Sequence, residues 1–154
     1  MSILWPALRV LLLLAVANGA PIIVKRLVGR RWDWPLDGGL RFVDGRALLG
    51  ASKTVRGVVV AVVSTAVGGA VLGLPWGLGA WIGALSMVGD VLSSFIKRRV
   101  GVPPSGRAMG LDQIPEALLP AWVLHGPLGL TLGDVVAVTL AFFLLEMPLA
   151  WLFF

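Results

Sequence analysis

A chain of 154 residues that is 58% hydrophobic and only 14% charged lacks the polar surface to cover its apolar material in water, so a single membrane-embedded domain over residues 1–154 is the first reading. The net charge of +5 then points to the positive-inside rule and a phosphate-bearing partner rather than to nucleic acid. With no cysteine and one histidine, His125, disulfides, thiolate catalysis, cysteine metal sites and a histidine metal cluster are all excluded.

Five apolar segments follow one another at about 3–24, 57–74, 76–96, 114–130 and 134–154. Most approach the roughly 20 helical residues that span a bilayer core. Helices are expected because an open chain in lipid must satisfy every backbone N–H locally. The first segment could be misread as a signal peptide, with Leu11–Leu14 as its apolar run and Ala15-Val16-Ala17 as its cleavage site. Its start carries no cation beyond Arg9 and several further spans follow, so a retained helix is expected. It contains "NGAP", residues 18–21, where Asn18 either contacts a substrate or bonds another helix.

The connection that follows holds Lys25, Arg26, Arg30, Arg31, Arg41, Arg46, Lys53 and Arg56. Within it, "DGRALLGASKTVRG", residues 44–57, surrounds Lys53, Thr54 and Arg56 with small residues just before an apolar helix. Backbone N–H groups at a helix start, together with two cations, suit a phosphate. A positive flank with a Ser/Thr cap explains the same residues, and both readings stand. It is not a Walker A loop, because Ala51 and Ser52 separate Gly50 from Lys53. In the next two segments Gly68, Gly69, Gly73, Gly79 and Gly83 suit close helix packing.

The third segment ends in "GDVLSSFIKRR", residues 89–99. Asp90, Ser93, Ser94 and Lys97 share one helical face, with Arg98 beside them. Snorkelling cations explain Arg99. They do not explain Asp90, since a carboxylate within a spanning helix costs about 2.5–3.5 kcal/mol on insertion scales. Residues 101–116, "GVPPSGRAMGLDQIPE", place Asp112 either as the N-cap of the next helix or folded back toward Asp90. Two carboxylates near one point, amid phosphate-binding cations, are what a magnesium–nucleotide site requires. The fourth segment carries Pro115, Pro120 and Pro127 and is the least regular. His125 reads as a packing or surface residue, and the tryptophans as interfacial anchors.

Residues 97–113 contribute Lys97, Arg98, Arg99 and Arg107, so the two connections hold twelve of the 13 cations. Five helices with the N-terminus outside put both basic loops in the cytoplasm. The expectation is an all-α integral membrane protein, a bundle of about five transmembrane helices in the cell membrane with its site facing the cytoplasm.

The ordered set of Asn18 with Pro21, Asp44-Gly45-Arg46, Gly50 followed by Lys53-Thr54 and Arg56-Gly57, Gly89-Asp90, Ser94-Phe95 with Lys97-Arg98-Arg99 and Gly101, and Asp112-Gln113 resembles the CDP-archaeol synthase family, the archaeal relatives of CDP-diacylglycerol synthases. The bacterial-type pattern continues differently after the Lys-Arg pair. The shorter loop ending in Leu-Asp-Gln favours the archaeal branch. The resemblance implies a membrane cytidylyltransferase that converts CTP and an unsaturated isoprenoid ether-lipid phosphate into CDP-archaeol and pyrophosphate. In that chemistry Asp90 and Asp112 hold Mg2+, and Lys53, Arg56, Lys97 and Arg98 hold the phosphates. Substrate contacts fall to Asn18, Asp44, Gly50, Ser52, Thr54, Ser93, Ser94 and Gln113. The nucleophile is already anionic near neutral pH, so the reaction needs charge stabilisation and alignment rather than a general base. Activity on phosphatidic acid, or a non-catalytic membrane subunit or transporter, are the competing readings.

Overall fold

The computed structural model describes residues 4–104, 106 and 108–153, and Arg107 and position 105 lie outside the described residues. Six helices follow in order: α1 Trp5–Val28, α2 Val55–Val71, α3 Trp76–Arg99, α4 Gln113–Val123, α5 His125–Leu128 and α6 Leu132–Phe153. The all-α expectation holds, and each apolar segment coincides with a helix or, in one case, two. The fourth segment is divided. Pro127 has no N–H to give to the Val123 carbonyl, so α4 stops and the chain restarts as the single turn α5. Helices α1 and α3 are long and apolar enough to cross a membrane, while α2 is a shorter apolar helix of 17 residues.

Local chemistry fixes the ends. Thr54 caps α2 by accepting the Gly57 N–H at 3.1 Å. Thr131 and Asp134 form a reciprocal box at the start of α6: the Thr131 N–H donates to Asp134 Oδ2 at 2.8 Å, and the Asp134 N–H donates to Thr131 Oγ1 at 3.1 Å. Lys25 and Arg26 close α1, and Lys97, Arg98 and Arg99 close α3, where cations complement the helix dipole.

The helices form a ring in which α1 packs on α2, α2 on α3, α3 on α4, α4 on α6, and α6 back on α1. Apolar burial gains little where lipid surrounds the protein, so close approach matters more. Gly69 and Gly79 supply it between α2 and α3: a Cβ built on Gly69 would lie 3.0 Å from the Gly79 Cα, and one on Gly83 would strike the Thr65 hydroxyl. Gly73 differs from expectation. Its φ is +76° with open space around it, so it turns the chain after α2 rather than packing. The buried core gathers Val10, Leu13, Leu14, Ile82, Ala117, Ala121, Val135, Val138 and Phe142 in the half of the ring away from the basic connections. The other half is hollow.

Candidate active site

The connection between α1 and α2 doubles back on itself. Trp34 to Leu36 run antiparallel to Lys53 to Val55, with the Leu36 N–H donating to the Lys53 carbonyl at 2.7 Å and the Val55 N–H to the Trp34 carbonyl at 3.0 Å. This hairpin neck carries Ser52, Lys53 and Thr54 to the mouth of a cavity of about 840 Å³. Helices α1, α2, α3, α4 and α6 supply most of the rest of its wall, with Asp33 after α1 and Gly106, Met109 and Asp112 from the connection between α3 and α4.

Two ion pairs organise the interior. Lys53 Nζ sits 2.5 and 2.6 Å from the two carboxylate oxygens of Asp90. Lys97 Nζ lies 2.5 Å from Asp112 Oδ1 and donates to the Gly106 carbonyl at 3.2 Å. Asp112 does stand at the start of α4, yet it makes no capping bond there. Its other oxygen accepts the Ala108 N–H at 3.1 Å, and the carboxylate is engaged by Lys97 of α3 rather than by the N–H groups that open α4. Lys97 and Asp112, fifteen positions apart, thus meet where α3 and α4 pack closely, at Gly89, where any Cβ would run into the Pro115 carbonyl.

The remaining expected residues divide. Asn18, Ser52, Lys53, Thr54, Arg56, Asp90, Lys97, Asp112 and Gln113 all line the cavity. Asn18 donates to the Leu14 carbonyl of its own helix at 3.0 Å, not to another helix. Gln113 accepts the Gly110 N–H at 3.0 Å. Arg56 also braces the turn after α1, donating to the Gly29 carbonyl and pairing with Asp33, both at 2.9 Å, and bonding the Arg31 carbonyl. Thr54 spends its hydroxyl oxygen on the α2 cap, so the capping reading holds for it.

Ser93, Ser94, Arg98, Asp44 and Gly50 are not among the lining residues. Ser93 donates to the Asp90 carbonyl at 2.8 Å, and the Ser94 hydroxyl is buried without a partner. Arg98 is buried and donates to the Val102 carbonyl at 2.7 Å. Asp44 pairs with Arg99 at 3.1 Å. Gly50, at φ +102°, belongs to the loop behind Lys53. The polar stripe on α3 therefore splits, with Asp90 and Lys97 facing the cavity while the serines and Arg98 face protein.

Two acids went unread in the sequence. Glu116 is buried at 6% exposure and Glu146 comes from α6, and both line the cavity. The signal was present, because an acid inside an apolar run marks a site as well at 116 or 146 as at 90. Five cations and five carboxylates line the wall among the described residues. No three acids or histidines among them converge into a ready-made metal cage. Magnesium commonly takes one or two protein carboxylates and fills its shell with water and phosphate oxygens. Asp90 and Asp112 line the same cavity, and their carboxylates are donors of the kind such an ion would take.

No family model matches this chain. It is similar to the CDP-archaeol synthase of Saccharolobus solfataricus, 39% identical over 108 residues that cover 67% of this chain and 61% of that protein. It is 43% identical to that of Sulfurisphaera tokodaii over 104 residues, covering 64% and 59%. Against that of Thermofilum pendens it is 37% identical over 116 residues, covering 72% and 56%. The chain spans about three fifths of the length of these curated relatives. A solved structure of an intramembrane enzyme for archaeal membrane lipid biosynthesis superposes with a TM-score of 0.76 at 28% identity, covering 94% of this chain and 92% of that one.

Proposed function

We propose that the chain is a member of the CDP-archaeol synthase family, and from that premise that it is a membrane cytidylyltransferase that joins CTP to an unsaturated isoprenoid ether-lipid phosphate. The observation that carries the proposal is the convergence of the Lys53–Asp90 and Lys97–Asp112 pairs on one cavity. A site for two phosphate-bearing substrates needs cations to hold phosphates and acids to hold a metal, and here each waits on the other.

An oxygen of the lipid phosphate attacks the α-phosphorus of CTP. That bond forms as the bond from the α-phosphorus to the bridging oxygen breaks, and pyrophosphate leaves with the electron pair. No proton need move, so the lack of a histidine in the cavity is no obstacle. When the nucleotide binds, Lys53 and Lys97 exchange their carboxylates for phosphate oxygens, where fixed cations stabilise the charge that develops. Asp90 and Asp112, released from the lysines, are the residues that would hold Mg2+, and the ion would supply charge neutralisation. Arg56, in the first turn of α2, lines the same cavity and would add a further positive charge beside those phosphates.

In this reading α1, α2, α3, the α4–α5 pair and α6 are the five spans. The N-terminus is outside, and the connections before α2 and α4 lie in the cytoplasm where CTP is found. The two basic connections and the match to an intramembrane enzyme support it.

The test is incorporation of radiolabelled CTP by purified protein, with an ether-lipid phosphate and phosphatidic acid offered in separate reactions. Labelled lipid and an equal amount of pyrophosphate are expected with the ether lipid, dependent on magnesium. A clear preference for phosphatidic acid would overturn the lipid assignment. Absence of product with either lipid would leave a non-catalytic membrane subunit.

A further inference from the structure

The loop that carries Lys53 is held shut by a carboxylate that the chemistry above does not use. Asp37 is 8% exposed. Its Oδ1 accepts the Gly39 N–H at 2.9 Å, and its Oδ2 accepts the N–H groups of Leu49 at 2.9 Å and Gly50 at 3.2 Å. One side chain thus closes an excursion of a dozen residues. The backbone of Lys53 is then fixed from both sides of that closure: its carbonyl accepts the N–H of Leu36, next to Asp37, and its N–H donates at 3.2 Å to the carbonyl of Gly50, which Asp37 itself binds. The lysine side chain is a flexible stem with a point charge at its end. Its placement between the two oxygens of Asp90 depends on where the backbone starts it.

We propose that Asp37 is a positioning residue that sets the Lys53 ammonium on the phosphate side of the cavity by tying residue 37 to residues 49 and 50. Asp37 touches no substrate and acts through the loop. Burial pushes its carboxyl up, but the three backbone N–H groups outweigh burial and hold it below the usual carboxylate range. It is therefore an anion at neutral pH and can accept all three bonds. In Asp37→Asn the shape is kept, but the amide must turn its NH2 toward a backbone donor, and the closure loosens.

The consequence for catalysis rests on the nucleotide reading of the cavity, and a double-mutant cycle with Lys53→Ala tests it. Asp37→Asn alone should lower kcat/KM for CTP by about 10- to 100-fold, the scale of a displacement near 1 Å. In the Lys53→Ala background the same change should add little, because the residue through which it acts is gone. Multiplied losses in the double variant would overturn the proposal and leave Asp37 as a general support of the loop. Independently of activity, Lys53 should become more reactive toward an amine-specific reagent in Asp37→Asn, read by mass spectrometry on the purified protein. Unchanged reactivity would also overturn it. If the wild type turns over no CTP, the cytidylyltransferase reading fails, and the labelling arm still decides the role of Asp37. Should Asp37→Asn not fold, Asp37→Ser, which keeps one short acceptor, is read the same way. Failure of both to fold makes Asp37 a folding residue and ends the proposal.

Discussion

Lys97 and Arg99 lie two residues apart on α3 and do different work. Lys97 faces Asp112 in the cavity, while the Arg99 guanidinium lies over the rings of Phe42 and Phe95, at 4.6 and 4.9 Å, and pairs with Asp44. Lys97→Ala should lower kcat by about 10²-fold, the usual loss of one donor at a developing charge, with little change in melting temperature. Arg99→Ala should do the reverse, lowering Tm by a few degrees as a cation–π contact of about 1–2 kcal/mol is lost, while kcat is largely kept. Parallel assays and thermal melts in one detergent check the pair; a larger kcat loss at Arg99 would reverse the assignment. Asp90→Asn and Asp112→Asn should each abolish turnover while the protein stays folded, since the amide keeps size but loses charge. Near-normal activity of Asp112→Asn at low magnesium would remove Asp112 from the metal. Asp37 adds a pH signature. Its folded-state carboxyl sits below the unfolded value of about 3.9, so its contribution to stability is present above that value and is lost as pH falls through the folded one. Acid unfolding curves of wild type and Asp37→Asn should therefore converge below about pH 4. A constant gap down to lower pH would contradict this.

Helix α4 carries Asp112, Gln113 and Glu116 at its first turn, and its position depends on Gly89 of α3. A Cβ at Gly89 would meet the Pro115 carbonyl, with the Glu116 N–H only 2.8 Å away, so Gly89→Ala must push α4 outward. Turnover should fall at least about 10-fold with a lower Tm, because a shift near 1 Å already misaligns reacting groups. Gly77, in the first turn of the same helix, has nothing within 4 Å of a built Cβ, so Gly77→Ala should be neutral or stabilising by up to about 1 kcal/mol. Helices such as α1 and α3 were legible in the sequence because an apolar run must satisfy its own backbone. The prolines announced that the fourth segment is irregular, but not that the break falls at Leu124. The pairing of Asp90 with Lys53 was only partly legible: the residue types were visible, whereas their meeting depends on the α2–α3 packing and on the hairpin neck. Asp37 was invisible, since its partners are backbone N–H groups a dozen residues away that leave no side-chain pattern. Glu116 and Glu146 were readable and passed over, because apolar neighbours drew the eye to span length instead of to the acid within.

For the molecule as a whole, the proposed orientation is open to labelling without background, since the chain has no cysteine. Position 43 is a suitable probe for the proposed cytoplasmic side, because Val43 is 94% exposed. Val43→Cys should react with an impermeant maleimide only after cells are permeabilised, and His125→Cys, on the exposed α5 turn, should react in intact cells. The opposite pattern would invert the topology. The chain carries a formal +5, yet Lys53 and Lys97 on the cavity wall are each paired with a carboxylate, Asp90 and Asp112. The phosphate-binding ammonium groups at Lys53 and Lys97 thus arrive with counter-ions tethered to the protein. A nucleotide that displaces them liberates no mobile ions into the bulk, so the entropic gain that drives polyanions onto free cationic surfaces is missing, and so is its dependence on electrolyte. The KM for CTP should consequently drift by only a few-fold between about 50 and 500 mM potassium chloride, where sites built from unpaired cations weaken by orders of magnitude.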